Sequence, residues 1–163
     1  MLALEHVGIV VKDLDASTKF YQTLFGEEPL QKTSWRGENA VYVANMMGQP
    51  GLTLDAAFFR IPGTQVILEV IQFHNLDDTS NGALRHYQVG GTHLGFYVPS
   101  IDALLDRVRA AGSELLGEPV RIEYGPYLGT GGRSATFRDP DDNNLQFMEI
   151  SGRPGNLPLP APM

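Results

Sequence analysis

The chain of 163 residues contains no cysteine, which removes disulfides, thiolate nucleophiles, iron–sulfur clusters and cysteine-based zinc sites together. Basic residues are also scarce: 12 Lys+Arg stand against 19 Asp+Glu, a formal charge of −7. A surface that tracks phosphates needs the opposite balance, so nucleic acid is not an expected partner. No run of 18 apolar residues occurs and no basic segment opens the chain, so the sequence reads as cytoplasmic, without a membrane partner. Nucleotide and hydrolase motifs are missing as well. Gly129-Thr130-Gly131-Gly132 lacks the Lys-Ser/Thr of a phosphate loop, and there is no Gly-x-Ser-x-Gly elbow. Asp139-Pro140-Asp141-Asp142-Asn143 has Asn144 and Ile150 where a calcium loop needs Gly and Glu. Any resident metal must therefore be held by His, Asp and Glu, and there are only four histidines.

What the chain does have is an internal repeat. His6-Val7-Gly8-Ile9-Val10-Val11 returns as His93-Leu94-Gly95-Phe96-Tyr97-Val98, an offset of 87. At the same offset Leu14-Asp15-Ala16 matches Ile101-Asp102-Ala103. Each copy is followed by a helical stripe, Phe20, Leu24 and Phe25 in the first, Leu104, Leu105 and Val108 in the second. Asp15 and Asp102 are the expected N-caps and Gly26 and Gly112 the expected stops. Short β-rich runs follow at 40–44 and 54–59, then at 119–124 and 133–137, and each half closes on a strand, around Leu68-Glu69-Val70 and Met148-Glu149-Ile150. The reading is β-α-β-β-β twice: a first module over 1–72, a link over 73–91, a second module over 92–151 and a Pro-rich tail over 152–163. His74 and His86 have no repeat mates and read as surface-loop residues of the link.

The repeat singles out His6, Glu69, His93 and Glu149, each set in an otherwise apolar strand. A lone carboxylate there is costly unless paired or metal-bound. Two imidazoles and two carboxylates suit one divalent ion such as Zn, Ni, Co, Mn or Fe. A hydrogen-bonded polar network retained in a pocket is the competing reading of the same four residues.

Leu4-Glu5-His6-Val7-Gly8-Ile9-Val10-Val11, then Asp13-Leu14-Asp15 with Phe20-Tyr21, and the closing Phe137-Arg138-Asp139-Pro140-Asp141 resemble the vicinal oxygen chelate superfamily. That group holds glyoxalase I, methylmalonyl-CoA epimerase, extradiol dioxygenases and the fosfomycin and bleomycin resistance proteins. The resemblance implies an α+β fold in which two βαβββ modules form a cup-shaped, partly open mixed β-sheet, commonly in a homodimer. It implies ligands on the first and last strand of each module, where His6, Glu69, His93 and Glu149 fall. It implies proton abstraction beside a carbonyl of a small-molecule substrate, with a metal-stabilised enolate and with Glu149 and Glu69 as the catalytic carboxylates, Glu149 as base and Glu69 on the other face. Trp35, Phe59, Tyr97 and Tyr127 would then offer aromatic surface to that substrate and Arg133 a cation for its carboxylate, ordinary core packing being the alternative for each aromatic. Val10 stands where glyoxalase I has an arginine for glutathione, and Ala44 where the epimerases carry a catalytic Glu, so neither glutathione as substrate nor the epimerase reaction as such transfers directly. An extradiol dioxygenase, with Glu69 outside the ligand set, and a non-catalytic sequestering protein are the two alternatives.

Overall fold

A computed structural model describes residues 4–75, 84, 87–123 and 131–150. The chain divides into two compact units, Met1–Gly82 and Ala83–Met163. The first contains β1 (His6–Val10), α1 (Leu14–Phe25), β2 (Gln31–Trp35), α2 (Glu38–Met47), β3 (Thr53–Arg60) and β4 (Ile67–His74). The second contains β5 (His93–Val98), a 3₁₀ turn (Asp102–Leu104) leading into α3 (Leu105–Ala110), β6 (Val120–Arg121), β7 (Arg133–Arg138) and β8 (Asn144–Glu149). Each unit forms one open four-stranded mixed sheet, ordered β1-β4-β3-β2 and β5-β8-β7-β6. In both, the outer first strand runs parallel to the last and the remaining pairs are antiparallel. This is the α+β, twice-repeated βαβββ arrangement that the sequence announced, with one added helix.

The two faces of the first sheet differ because alternate residues go to opposite sides. Register pairs Phe59 with Leu68 and Ala57 with Val70, all four buried. Onto that side α1 delivers Phe20, Tyr21, Leu24 and Phe25, and the rings of Tyr21 and Phe25 lie 6.2 and 5.9 Å from that of Phe59. The helix begins at Asp13, whose Oδ1 accepts from the Ala16 N–H at 3.0 Å, and stops at Gly26, which takes a left-handed φ of 74°. The cap is therefore Asp13 rather than Asp15; Asp15 points outward to Lys32. In the second unit Asp102 opens the 3₁₀ turn without capping it, because its carboxylate is bound to Arg133 at 2.7 Å. Gly112, with φ of 85°, follows α3 as expected.

The run at 40–44, expected as a strand, is helical. Ala40, Val43 and Ala44 are buried at helical spacing, while Val41 and Tyr42 are exposed. Gly37 and Gly48 bracket the helix. Val43 and Ala44 pack on Leu54, Ala56 and Ile71, with Trp35, Phe58 and Phe73 alongside, so α2 covers part of the sheet face that α1 leaves open. His74 is also not a loop residue: it ends β4, and its Nε2 lies 2.9 Å from Asp55 Oδ2, which Arg36 reaches at 2.6 Å. Bonds from Ser34, His74 and Arg36 hold the Asp55 carboxyl below the usual range. His86, Tyr127 and the tail 152–163 lie outside the described residues.

Candidate metal centre

The parallel pairing of first and last strand decides which side chains meet. In the first unit His6 pairs with Ile67 and Gly8 with Glu69. His6, Gly8, Glu69 and Ile71 thus share the face opposite α1. The His6 Nε2 and a Glu69 carboxylate oxygen are 3.9 Å apart. Glu5 lies against the other ring nitrogen, Nδ1, at 2.5 Å. An acid on Nδ1 fixes the ring and leaves Nε2 to face Glu69, the arrangement that ligand histidines use. Burial raises the Glu69 carboxyl above the usual carboxylate range; His6 draws it back and Glu5 pushes it up further. The side chain is 20% exposed and its cross-strand neighbour on β3 is Phe58.

The second unit repeats the geometry with one substitution. His93 pairs with Asn144, Gly95 with Gln146, and Val98 with Glu149. His93, Gly95 and Tyr97 therefore share a face with Gln146 and Met148, and Tyr97 is 38% exposed on it. The register mate of Glu69 is Gln146. A Cβ built on Gly95 would lie 3.8 Å from the Gln146 Oε1, so the amide oxygen sits over that glycine beside His93 in the strand. Its Nε2 donates to Ser134 Oγ at 2.7 Å.

Glu149, expected as a ligand together with His93, shares its face with Leu145 and Phe147, as strand alternation predicts, but both are buried and that face is the one opposite His93. One carboxylate oxygen accepts from the Ile101 N–H at 2.7 Å, and Arg133 binds both oxygens at 3.0 and 2.8 Å. Those bonds, Arg133 first and Ile101 second, hold the Glu149 carboxyl below the usual range. The true repeat mate of Glu149 is Gln72, whose Oε1 accepts from the Leu14 N–H at 3.0 Å. Both side chains anchor the start of the helical segment that follows a first strand. Arg133 is consequently turned away from His93; with Asp102, Leu105, Val108 and Pro119 it lines a groove of about 660 Å³ on the α3 side.

The expected aromatic residues separate in the same way. Phe59 is 1% exposed and faces α1, on the side opposite Glu69. Phe58 takes the position expected of Phe59, opposite Glu69, and Trp35 stands next to Phe58 with ring centroids 6.3 Å apart. The polar face of Asn144–Glu149 was readable, since Leu145 and Phe147 alternate with Gln146 and place residue 149 on the apolar side.

Among the described residues no three His, Asp or Glu side chains are gathered so as to hold a metal ion. Each supplies one imidazole and one oxygen donor at matching positions.

A model of the Glyoxalase/Bleomycin resistance protein/Dioxygenase superfamily matches residues 3–147. The chain belongs to this superfamily. Among curated proteins, this superfamily member is 27% identical over 162 residues to 2-epi-5-epi-valiolone epimerase from an Actinomyces species, covering 99% of this chain and 82% of the relative. It is 28% identical over 150 residues to the ethylmalonyl-CoA/methylmalonyl-CoA epimerase of Cereibacter sphaeroides, 90% of this chain and 95% of the relative. A glyoxalase family protein from Bacillus cereus has the same fold, with a TM-score of 0.76 at 20% identity over 93% of this chain and 96% of the other. A variant of a fosfomycin resistance protein from Listeria monocytogenes, solved with Mn(II) and 1S,2S-dihydroxypropylphosphonic acid, gives 0.60 at 21% identity over 95% and 96%. Among the described residues no helix is long and apolar enough to cross a membrane.

Glu149→Gln separates an anchor from a ligand. Loss of the charge-assisted bonds is expected to destabilise the second unit by about 1–3 kcal/mol at neutral pH while leaving affinity for divalent metal unchanged. Because the folded carboxyl is held below its unfolded value, its stabilisation is present above the unfolded pKa and is lost as pH falls through the folded one. The variant's stability should therefore fall less steeply below about pH 4.5. Urea unfolding between pH 3 and 7, with metal titration at pH 7, reads both effects.

Proposed function

We propose that this superfamily member is a metal-dependent isomerase or lyase, in which His6 and Glu69 of the first unit act with His93 and Gln146 of the second on one divalent ion. The observation that supports it is the register: an imidazole and an oxygen donor occupy matching places in both sheets, each pair on one face and beside a glycine. Two imidazoles, one carboxylate and one amide oxygen form an all-N/O donor set suited to Mn, Fe, Co, Ni or Zn. The residues fit such an ion, and the names of the two epimerases agree with the class of chemistry. In place of Glu149 the fourth donor is Gln146, because Glu149 lies on the other face and is already held by Arg133 and Ile101.

When bound, a divalent ion lowers the cost of negative charge on a substrate carbonyl oxygen. Glu69 then removes the proton from the adjacent carbon; the C–H electron pair moves toward the carbonyl, and return of a proton to that carbon completes an isomerisation. Burial raises the proton affinity of the Glu69 carboxyl, the direction that favours a base. Neither an amide at 146 nor a neutral imidazole bound to metal can replace it, so the donor set holds one base. Phe58, Trp35, Phe73 and Ile71 give the same face an apolar wall, which favours a substrate with a hydrocarbon or ring body beside its oxygen functions.

Two measurements test the reading. Titration of the metal-stripped protein with Mn(II) should reach one ion per pair of modules, and comparison of that stoichiometry with the mass in solution tells whether one chain or two supplies the donors. Incubation in D₂O with 2-epi-5-epi-valiolone or methylmalonyl-CoA should place deuterium on the carbon beside the carbonyl. Failure to bind any divalent metal overturns the proposal, as does oxygen consumption with a catechol.

A further inference from the structure

We infer that Ser134 is a positioning residue that orients Gln146 so that its amide oxygen, and not its nitrogen, faces the metal; this rests on the ligand set proposed above. A glutamine differs from a glutamate in having two unlike ends. Turned by 180° it presents an N–H₂ group, which cannot coordinate a cation, so a glutamine donor works only if something holds the amide nitrogen away. Ser134 does this: its Oγ accepts the Gln146 Nε2–H at 2.7 Å, while Oε1 is left over Gly95 on the side of His93.

The other unit supplies the control. By register Ser134 on β7 pairs with Met148, as Ala56 on β3 pairs with Ile71, so the place of Ser134 is taken in the first unit by alanine. Likewise Thr136 opposite Gln146 answers to Phe58 opposite Glu69. The carboxylate has equivalent oxygens and needs no latch, and its strand neighbours are Phe58 and Ala56. The amide needs one, and its neighbours carry hydroxyls. Where the donor changes from acid to amide, the neighbouring strand changes from apolar to hydroxylated. A hydroxyl serving only to satisfy the Gln146 amide could sit on either end of it; here it takes the end that cannot bind a cation.

The test is Mn(II) affinity, followed by titration calorimetry and by the electron paramagnetic resonance signal of free ion, with melting temperature recorded alongside. Ser134→Ala is expected to weaken Mn(II) by about 10–100-fold, the range typical of lost support to a ligand. Ser134→Thr keeps the hydroxyl and should bind within about threefold of wild type. In a Gln146→Glu background, adding Ser134→Ala should change affinity by less than about twofold, because a carboxylate has no wrong end. An affinity for Ser134→Ala within about twofold of wild type overturns the inference, as does an equal loss in the Gln146→Glu background, which would mark Ser134 as a general structural support. If the wild type itself binds no Mn(II), the ligand set falls and Ser134 with it, an outcome distinct from selective failure of the Ser134 comparison.

Discussion

Glu69→Gln is expected to slow proton exchange at the substrate carbon by about 10²–10⁴-fold, the usual contribution of a positioned base. The magnitude follows from the composition of the donor set. With Gln146 in the register position of Glu69, the two faces hold a single carboxylate among the four proposed donors, so no second acid can take over. The substitution is nearly isosteric and leaves an oxygen that could still face a cation, so metal affinity should fall but persist. The apolar neighbours Phe58 and Ala56 would, however, provide no hydroxyl to orient the new amide. Deuterium incorporation in D₂O, measured at saturating Mn(II), separates loss of the base from loss of the ion. Retention of more than about a tenth of the wild-type exchange rate would show that another group is the base.

The second large effect is on folding. Phe59→Ala is expected to cost about 3–5 kcal/mol, in the range for truncating a buried aromatic residue. The ring is 1% exposed, wedged against Tyr21 and Phe25 where α1 meets β3 and β4. Thermal or urea unfolding should show the loss. Metal affinity and exchange rate of the molecules that remain folded should be unchanged, because Glu69 is on the opposite face. Phe58→Ala, one residue away, should do the reverse: a smaller loss of stability, since Phe58 is only partly buried, and a clear change in substrate affinity.

That one-residue contrast shows where sequence reading succeeds and where it stops. The two-module plan, the strand-rich closing hairpins and the placement of His6, Glu69 and His93 in strands were legible because the repeat marks them independently of any local preference. Three features were not. In Ile67 to Ile71 every residue but Glu69 is apolar, so the face of the acid shows only through pairing with His6 and Gly8. In Asn144 to Glu149 an acid three residues beyond Gln146 attracts notice as a donor, yet three residues along a strand is the opposite face. The alternation puts Glu149 with Leu145 and Phe147, but only the pairing with β5 shows that this side is opposite His93, and the matching roles of Gln72 and Glu149 confirm the frame. In 40–44, Val41, Tyr42 and Val43 have strand preferences that burial on α2 overrides.

The added helix carries one more consequence. The proposed donors all lie in the part of the chain that occurs twice, on strands whose pairing leaves little room for change. The α2 segment, between Gly37 and Gly48, has no counterpart among the described residues of the second unit and leans on the Glu69 face through Val43 and Ala44. Chemistry and shape are thus written in separable stretches of sequence. Relatives could lengthen, shorten or rebuild this helix, and so trade one substrate body for another, while the duplicated scaffold keeps the proposed donors.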